Sequence, residues 1–275
     1  MRLSRLTLFA TALVLIWSLQ PNYAANSSQV NIDTSVPKIY SNSCHLSQID
    51  TKAKWCAFGD LKSKFKVVLV GDSHAAQWFP ALEKLAIKNS FKLLSLTHSS
   101  CPFVDLEFYD QCKQWNSNVI KLINKWDPDV LVWANLITLD YPTAPPTNIA
   151  KGAWEEGFKI RLNQLKIEKR KIFYIQDSPY PSFDVLGCLN MNPDAISCNF
   201  TFNPNQIENA VFQILKSNKV NIVRTQSWFC DSSICGVLRD NFNVYRDYSH
   251  ISVLMSENLS TRLGKAIVFS NKFKA

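Results

Sequence analysis

The sequence predicts an α/β protein, a three-layer α/β/α sandwich around a five-stranded parallel sheet. Three observations carry this. Short runs of β-branched and aliphatic residues recur, of the kind that strands buried on both faces require. Between them lie stretches with apolar residues at helical spacing. The regular alternation of the two predicts parallel strands covered by helices on both faces. No repeat of fixed period interrupts the alternation, which sets aside solenoids and propellers. At 47% hydrophobic and 19% charged residues the chain is of globular composition, and its 275 residues accommodate one such domain.

The elements follow in order. Residues 66–70 (KVVLV) form the first strand. Residues 74–89 form a helix, with Trp78, Leu82, Leu85 and Ala86 on its apolar face. Residues 91–96 form the second strand, and a loop with Cys101, Pro102 and Cys112 follows. The helix 114–126 ends at Asp127-Pro128. Residues 129–134 (DVLVWA) form the third strand, and 154–167 a helix that buries Phe158, Leu162 and Leu165. Strand 171–175, helix 204–216, strand 221–225 and helix 252–267 complete the pattern. In such sheets ligands bind beyond the carboxyl ends of the strands, near a topological switch point. Reactive side chains are therefore expected just after strands.

The N-terminus reads as an export signal. Arg2 and Arg5 precede an apolar run from Leu6 to Leu19, and Ala24-Ala25 give it a small-residue end. The run is short for a bilayer-spanning helix, which needs about 20 residues. Residues 1–25 are thus a signal peptide or an N-terminal anchor, and either puts the body of the protein outside the cytoplasm, in the periplasm or beyond. Residues 26–43 are polar and read as a linker or an extended arm, leaving 44–275 as the folded domain. No other stretch is apolar enough to span a bilayer.

The net charge is +8, and +6 without Arg2 and Arg5. No basic stripe interleaved with aromatics is present, so no nucleic-acid partner is expected. A basic exterior suits solubility and, equally, anionic surface polymers. Eight cysteines fall in four close pairs behind the export signal. With no CxxC and only four histidines, metal binding is disfavoured and disulfides are expected. Their clustering favours Cys44–Cys56, Cys101–Cys112, Cys188–Cys198 and Cys230–Cys235. Asn26, Asn199 and Asn258 head N-x-S/T sequons, which matter only in a glycosylating host. His45 and His98 have no partner in the sequence and read as structural or surface residues.

Two motifs carry chemistry. Gly71-Asp72-Ser73-His74 follows the first strand directly. Gly71 permits a tight turn, and Ser73 then stands at the mouth of the sheet, where backbone N–H groups at a helix start suit an oxyanion. Asp247-Tyr248-Ser249-His250 precedes the last helix. A nucleophilic serine needs a base within hydrogen-bond reach and a carboxylate to orient it, and Asp247 and His250 supply both. Each motif alone is also a plain helix cap.

VVLVGDSHAAQWFPAL and YRDYSHIS together resemble the SGNH hydrolase superfamily, whose fold is flavodoxin-like. The paired cysteines and both motifs are similar to the branch fused to membrane acyltransferases of the acyltransferase-3 type, which O-acylate bacterial surface glycans. The resemblance spans about Cys44 to Ile267. It implies a Ser73–His250–Asp247 triad without cofactor or metal, acting through an acyl-enzyme on glycan hydroxyls. The implied oxyanion donors are the Ser73 N–H, a glycine of a second loop and an asparagine of a third. The second loop, His98-Ser99-Ser100, has no glycine, and Ser99 stands there. Asn135 stands at the third. The implied activity is O-acyl transfer, with a carbohydrate acetylesterase or a non-catalytic glycan-binding module as alternatives. An acyl-ester or glycan substrate and a membrane acyl-donor partner go with it. The Asp72-x-His74 spacing also occurs in metallophosphoesterases, but the further ligand blocks of that family are missing here.

Overall fold

The computed structural model describes residues 30–142, 147–192 and 195–267. The predicted signal segment 1–25 lies outside them. Seven strands form the central sheet: β1 (His45–Leu46), β2 (Cys56–Gly59), β3 (Lys66–Gly71), β4 (Lys92–His98), β5 (Val130–Ala134), β6 (Ile172–Ile175) and β7 (Asn221–Val223). The five expected strands lie in the order β4-β3-β5-β6-β7, all parallel. This is the flavodoxin order, and it reverses direction between β3 and β5.

The two additional strands share the outer edge of β4. β2 pairs antiparallel with Lys92 to Ser95, and β1 pairs parallel with Thr97 and His98. The Cys44–Cys56 disulfide joins them, β1 following Cys44 and β2 starting at Cys56. At four and two residues they are too short to show a period in the sequence. His45 joins the same edge through Thr97 Oγ1 at 3.0 Å and Ser99 Oγ at 2.9 Å.

β3 shows why the sheet needs cover on both faces. Successive side chains of a strand point to opposite sides, and here every position from Val67 to Val70 is fully buried. Val67 and Leu69 meet one core with α1 (Ser73–Ala76), α2 (Phe79–Asn89), α6 (Val253–Asn258) and α7 (Ser260–Ala266). Val68 and Val70 meet the other with α3 (Asp110–Trp126), α4 (Ala153–Gln164) and α5 (Gln206–Ser217). No helix among the described residues is long and apolar enough to cross a membrane.

Two expected helices are broken. The stretch 74–89 divides after Ala76, and Pro80 sits in the first turn of α2, where its missing N–H has no intrahelical partner to lose. The closing helix divides at Leu259. Of the segment 26–43, read as a linker or an extended arm, the described part lies against the domain. Ile39 is fully buried in the core, and Asp33 accepts from Leu254 N at 2.8 Å. One apolar anchor in a polar stretch escapes a compositional reading. Disulfides join Cys44–Cys56, Cys101–Cys112, Cys188–Cys198 and Cys230–Cys235.

Candidate active site

The site begins with Gly71. Its φ is +143°, and an added Cβ would lie 1.8 Å from the Ala134 carbonyl oxygen. Only glycine allows β3 and β5 to approach this closely where the chain turns. Asp72, fully buried, then caps α1 by accepting from His74 N at 2.8 Å. Its other oxygen accepts from Leu136 N at 2.9 Å and from the Tyr141 hydroxyl. Burial raises its pKa to about 6, against the pull of His74 and these donors. Asp72 thus ties the turn after β3 to the turn after β5. The N–H groups of His74, Ala75 and Ala76 all go to Asp72. Among the described residues the Ser73 N–H makes no such bond to Asp72.

The second half of the site is a tight loop closed by an antiparallel bridge between Tyr245 and Ile251. Asp247 Oδ1 accepts from Ser249 N at 3.0 Å and from His250 N at 2.8 Å. Gln77, in the break between α1 and α2, accepts from Ile251 N at 2.9 Å. It also donates to Ser178 Oγ at 3.3 Å. This buried amide anchors the histidine loop to the serine turn, a role with no sequence signature.

His250 Nδ1 lies 2.9 Å from Asp247 Oδ2 and 3.0 Å from Oδ1. A carboxylate only accepts, so Nδ1 carries the proton. His250 Nε2 is then free to accept from Ser73 Oγ, 2.8 Å away. Burial lowers the His250 pKa to about 4, helped by the nearby charges of His74 and Arg246 and opposed by Asp247. Burial disfavours charge on Asp247 too, but the His250 hydrogen bond and charge and the two backbone N–H groups hold its carboxyl well below the usual range. The resting arrangement is a neutral imidazole between a hydroxyl and a carboxylate, which can draw a proton from Ser73.

A second histidine–carboxylate pair adjoins the first. His74 Nδ1 lies 2.7 Å from Asp177 Oδ1, and the His74 ring is 4.8 Å from that of His250. Burial opposes charge on His74, but the Asp177 carboxylate, with Asp72 and Asp247 beyond it, outweighs this and raises its pKa. Asp177 follows β6, the expected position for a functional residue, but it carries no motif.

Of the expected oxyanion donors, Asn135 lies beside the turn, since it follows Ala134, the register partner of Gly71. Its Oδ1 accepts from Phe103 N at 2.9 Å. Its Nδ2 is buried and has no partner among the described residues. A buried amide without a partner is uncommon in folded proteins. Ser99 is not available in the same way. Its N–H donates to Leu46 O at 2.7 Å and its hydroxyl meets His45. The pairing of β1 along β4 consumes that donor. Ser100, next in the chain, has φ +49°, a left-handed conformation where glycine is favoured.

A serine after the first strand of a flavodoxin-ordered sheet, met by a histidine from the far end of the chain, defines an SGNH-type domain. The family described as SGNH domain (fused to AT3 domains) matches residues 43–265, and the chain belongs to it. The chain is similar in structure to the periplasmic domain of a lipopolysaccharide acetyltransferase from Salmonella ser. Paratyphi A. The TM-score is 0.60 at 15% identity, over 87% of this chain and 91% of that one. It is also similar to a catalytic mutant of Axe2, an acetylxylan esterase from Geobacillus stearothermophilus. There the TM-score is 0.44 at 13% identity, over 77% of this chain and 97% of that one. No curated protein sequence matches the chain.

Proposed function

We propose that this domain transfers an acyl group to a glycan hydroxyl outside the cytoplasm, through an acyl-enzyme on Ser73. The observation that carries the reading is the unbroken line from Ser73 Oγ through His250 to Asp247, at 2.8 Å and 2.9 Å. Ser73 Oγ attacks the acyl carbonyl while His250 Nε2 takes its proton. The carbonyl oxygen becomes an oxyanion, held by the Ser73 N–H and Asn135 Nδ2. As the tetrahedral intermediate collapses, the bond to the donor alcohol breaks and His250 returns the proton to it. In the second half a sugar hydroxyl attacks the acyl-serine, its proton passes to His250, and Ser73 leaves with that proton. Asp247 stabilises the imidazolium formed in each half.

Water in place of the sugar would make the same machinery an esterase, which is the second reading. Membership of a family described by its fusion to AT3 domains supports a membrane protein as the acyl donor. The four disulfides fit an exported protein. The test is turnover of p-nitrophenyl acetate by the purified protein, with and without a glycan acceptor. Acetylated glycan appearing with p-nitrophenolate supports transfer, release with acetate as the sole product supports the esterase, and no release contradicts both.

A further inference from the structure

Arg246 stands next to Asp247 in the sequence but is no member of the triad. Its side chain is buried, whereas the Asp247 side chain beside it is 41% exposed and is not fixed by packing alone. Arg246 Nε lies 3.4 Å from Asp247 Oδ2, the oxygen that also meets His250 Nδ1. Its Nη1 donates to Ile251 O at 3.1 Å. The backbone N–H groups of Ser249 and His250 hold only Oδ1 of the carboxylate. A guanidinium presents its donors in one rigid plane. One side chain therefore holds Oδ2 and the residue after His250 together, where a lysine has a single nitrogen for both.

The N-terminal arm backs this arginine. The Arg246 guanidinium lies over the Tyr40 ring, 5.8 Å from its centre and within the range of a cation–π contact. Tyr40 stacks in turn on His45 at 4.1 Å, and His45 is bonded to Thr97 and Ser99 at the end of β4. Burial, helped by the charges of His98, His250 and Arg246, lowers the His45 pKa to about 3. Within this stack only Arg246 is charged.

Nearer its start, the arm grips both ends of the histidine loop. Asn31 N donates to Asn241 O at 2.8 Å. Asn243, fully buried, accepts from Asp33 N at 2.6 Å, and its amide donates to Asp33 O at 2.8 Å and to Tyr245 O at 2.7 Å. Asp33 Oδ2 accepts from Leu254 N in the first turn of α6. The entry and the exit of the loop are thus tied to one segment from the other end of the chain.

Resting on the acyl-transfer reading above, we infer that Arg246 is a positioning residue of the reaction, backed by the N-terminal arm, which holds Asp247 Oδ2 and Ile251 so that His250 keeps its line to Ser73. Its charge has a separate effect. The groups that face His250 are Asp247 and Arg246 from its own loop, His74 from α1 and His45 from β1. His74 and Arg246 disfavour the imidazolium, and Asp247 favours it. Without the Arg246 cation His250 takes up a proton more easily, and the acid limb of kcat/KM moves to higher pH. Loss of the backing alone leaves the cation, and the limb stays where it is.

Turnover of p-nitrophenyl acetate separates the two effects. Arg246→Met should lower kcat by about 10²-fold with little change in KM, and move the acid limb to higher pH. Arg246→Lys should restore the limb and only part of kcat. Tyr40→Leu and Asp33→Ala should each lower kcat with the limb unmoved. An unmoved limb in Arg246→Met, full kcat in Arg246→Lys, or full kcat in both arm variants would overturn the assignment. Should Arg246→Met not fold, the lysine and arm variants decide it by the same outcomes. A second measurement needs no turnover. The pH titration of the His250 ring, followed by NMR, should shift upward in Arg246→Met and stay unshifted in Tyr40→Leu, and an unshifted titration in Arg246→Met would overturn the assignment. Failure of the acyl-enzyme reading appears separately, as no p-nitrophenolate release by the unaltered protein. In that case the titration alone decides the role of Arg246.

Discussion

His250 Nε2 stands 2.8 Å from Ser73 Oγ although 177 residues of chain separate them. The contact depends on where two loops end. Gly71 and Asp72 set the serine turn at the carboxyl end of β3, and the Tyr245–Ile251 bridge sets the histidine loop before α6. Gln77 joins the two through Ile251 N. The nucleophile is thus held by the sheet and its base by a loop fastened to the same turn.

The pH profile follows from the surroundings of His250. The base must be neutral to accept the serine proton. An ordinary histidine titrates near ~6.5. Burial, with His74 and Arg246, lowers His250 to about 4. kcat/KM should therefore hold through pH 6.5 and fall only as the pH drops toward about 4. His74→Gln removes a positive neighbour, so His250 protonates more easily and the acid limb moves to higher pH. A pH series of kcat/KM for both proteins checks this. A limb near ~6.5 in the unaltered protein, or the same limb in both, would contradict it.

The three triad residues should act as a unit. His250→Ala should lower kcat nearly as much as Ser73→Ala, by about 10⁶-fold, and Asp247→Asn by about 10⁴-fold. The double variant Ser73→Ala/His250→Ala should be barely worse than either single one. Steady-state rates measure this, and additive losses in the double variant would argue against a shared step.

Much of this was legible in the sequence. Four of the five parallel strands are apolar runs of four residues or more, the three-residue β7 is marked by its place in the alternation with helices, and Ser73, Asp247 and His250 stand in two motifs that the fold brings together. Other parts carry no local signal. β1 and β2, which begin beside the two ends of the Cys44–Cys56 disulfide, are strands because they pair along β4, a tertiary effect. Asp177 and Gln77 act through partners about a hundred residues away, so neither their neighbours in sequence nor a period marks them. The family resemblance implies an oxyanion donor at Ser99, but the Ser99 N–H donates to Leu46 O.

Gly71→Ala should be strongly destabilising. The new Cβ would overlap the Ala134 carbonyl at a φ that side chains rarely adopt. A loss of more than about 3 kcal/mol is expected, read as a shift in the urea midpoint. A loss within about 0.5 kcal/mol would mean that β3 and β5 do not approach as described.

Asn135→Ala removes the unpartnered Nδ2 and also the acceptor for Phe103 N. kcat should fall by about 10²–10³-fold if the amide holds the oxyanion. The orphaned Phe103 N–H should cost about 1–3 kcal/mol of stability. Kinetics well below the unfolding transition separate the two. Unchanged kcat with lowered stability would leave Asn135 a purely structural residue.

The most direct test of the central claim is covalent labelling by a fluorophosphonate, mapped by peptide mass spectrometry. The account predicts one label per chain, on Ser73, lost in Ser73→Ala and strongly slowed in His250→Ala, while both variants keep the native circular dichroism spectrum. Label on another residue, or undiminished ester turnover by Ser73→Ala, would contradict it.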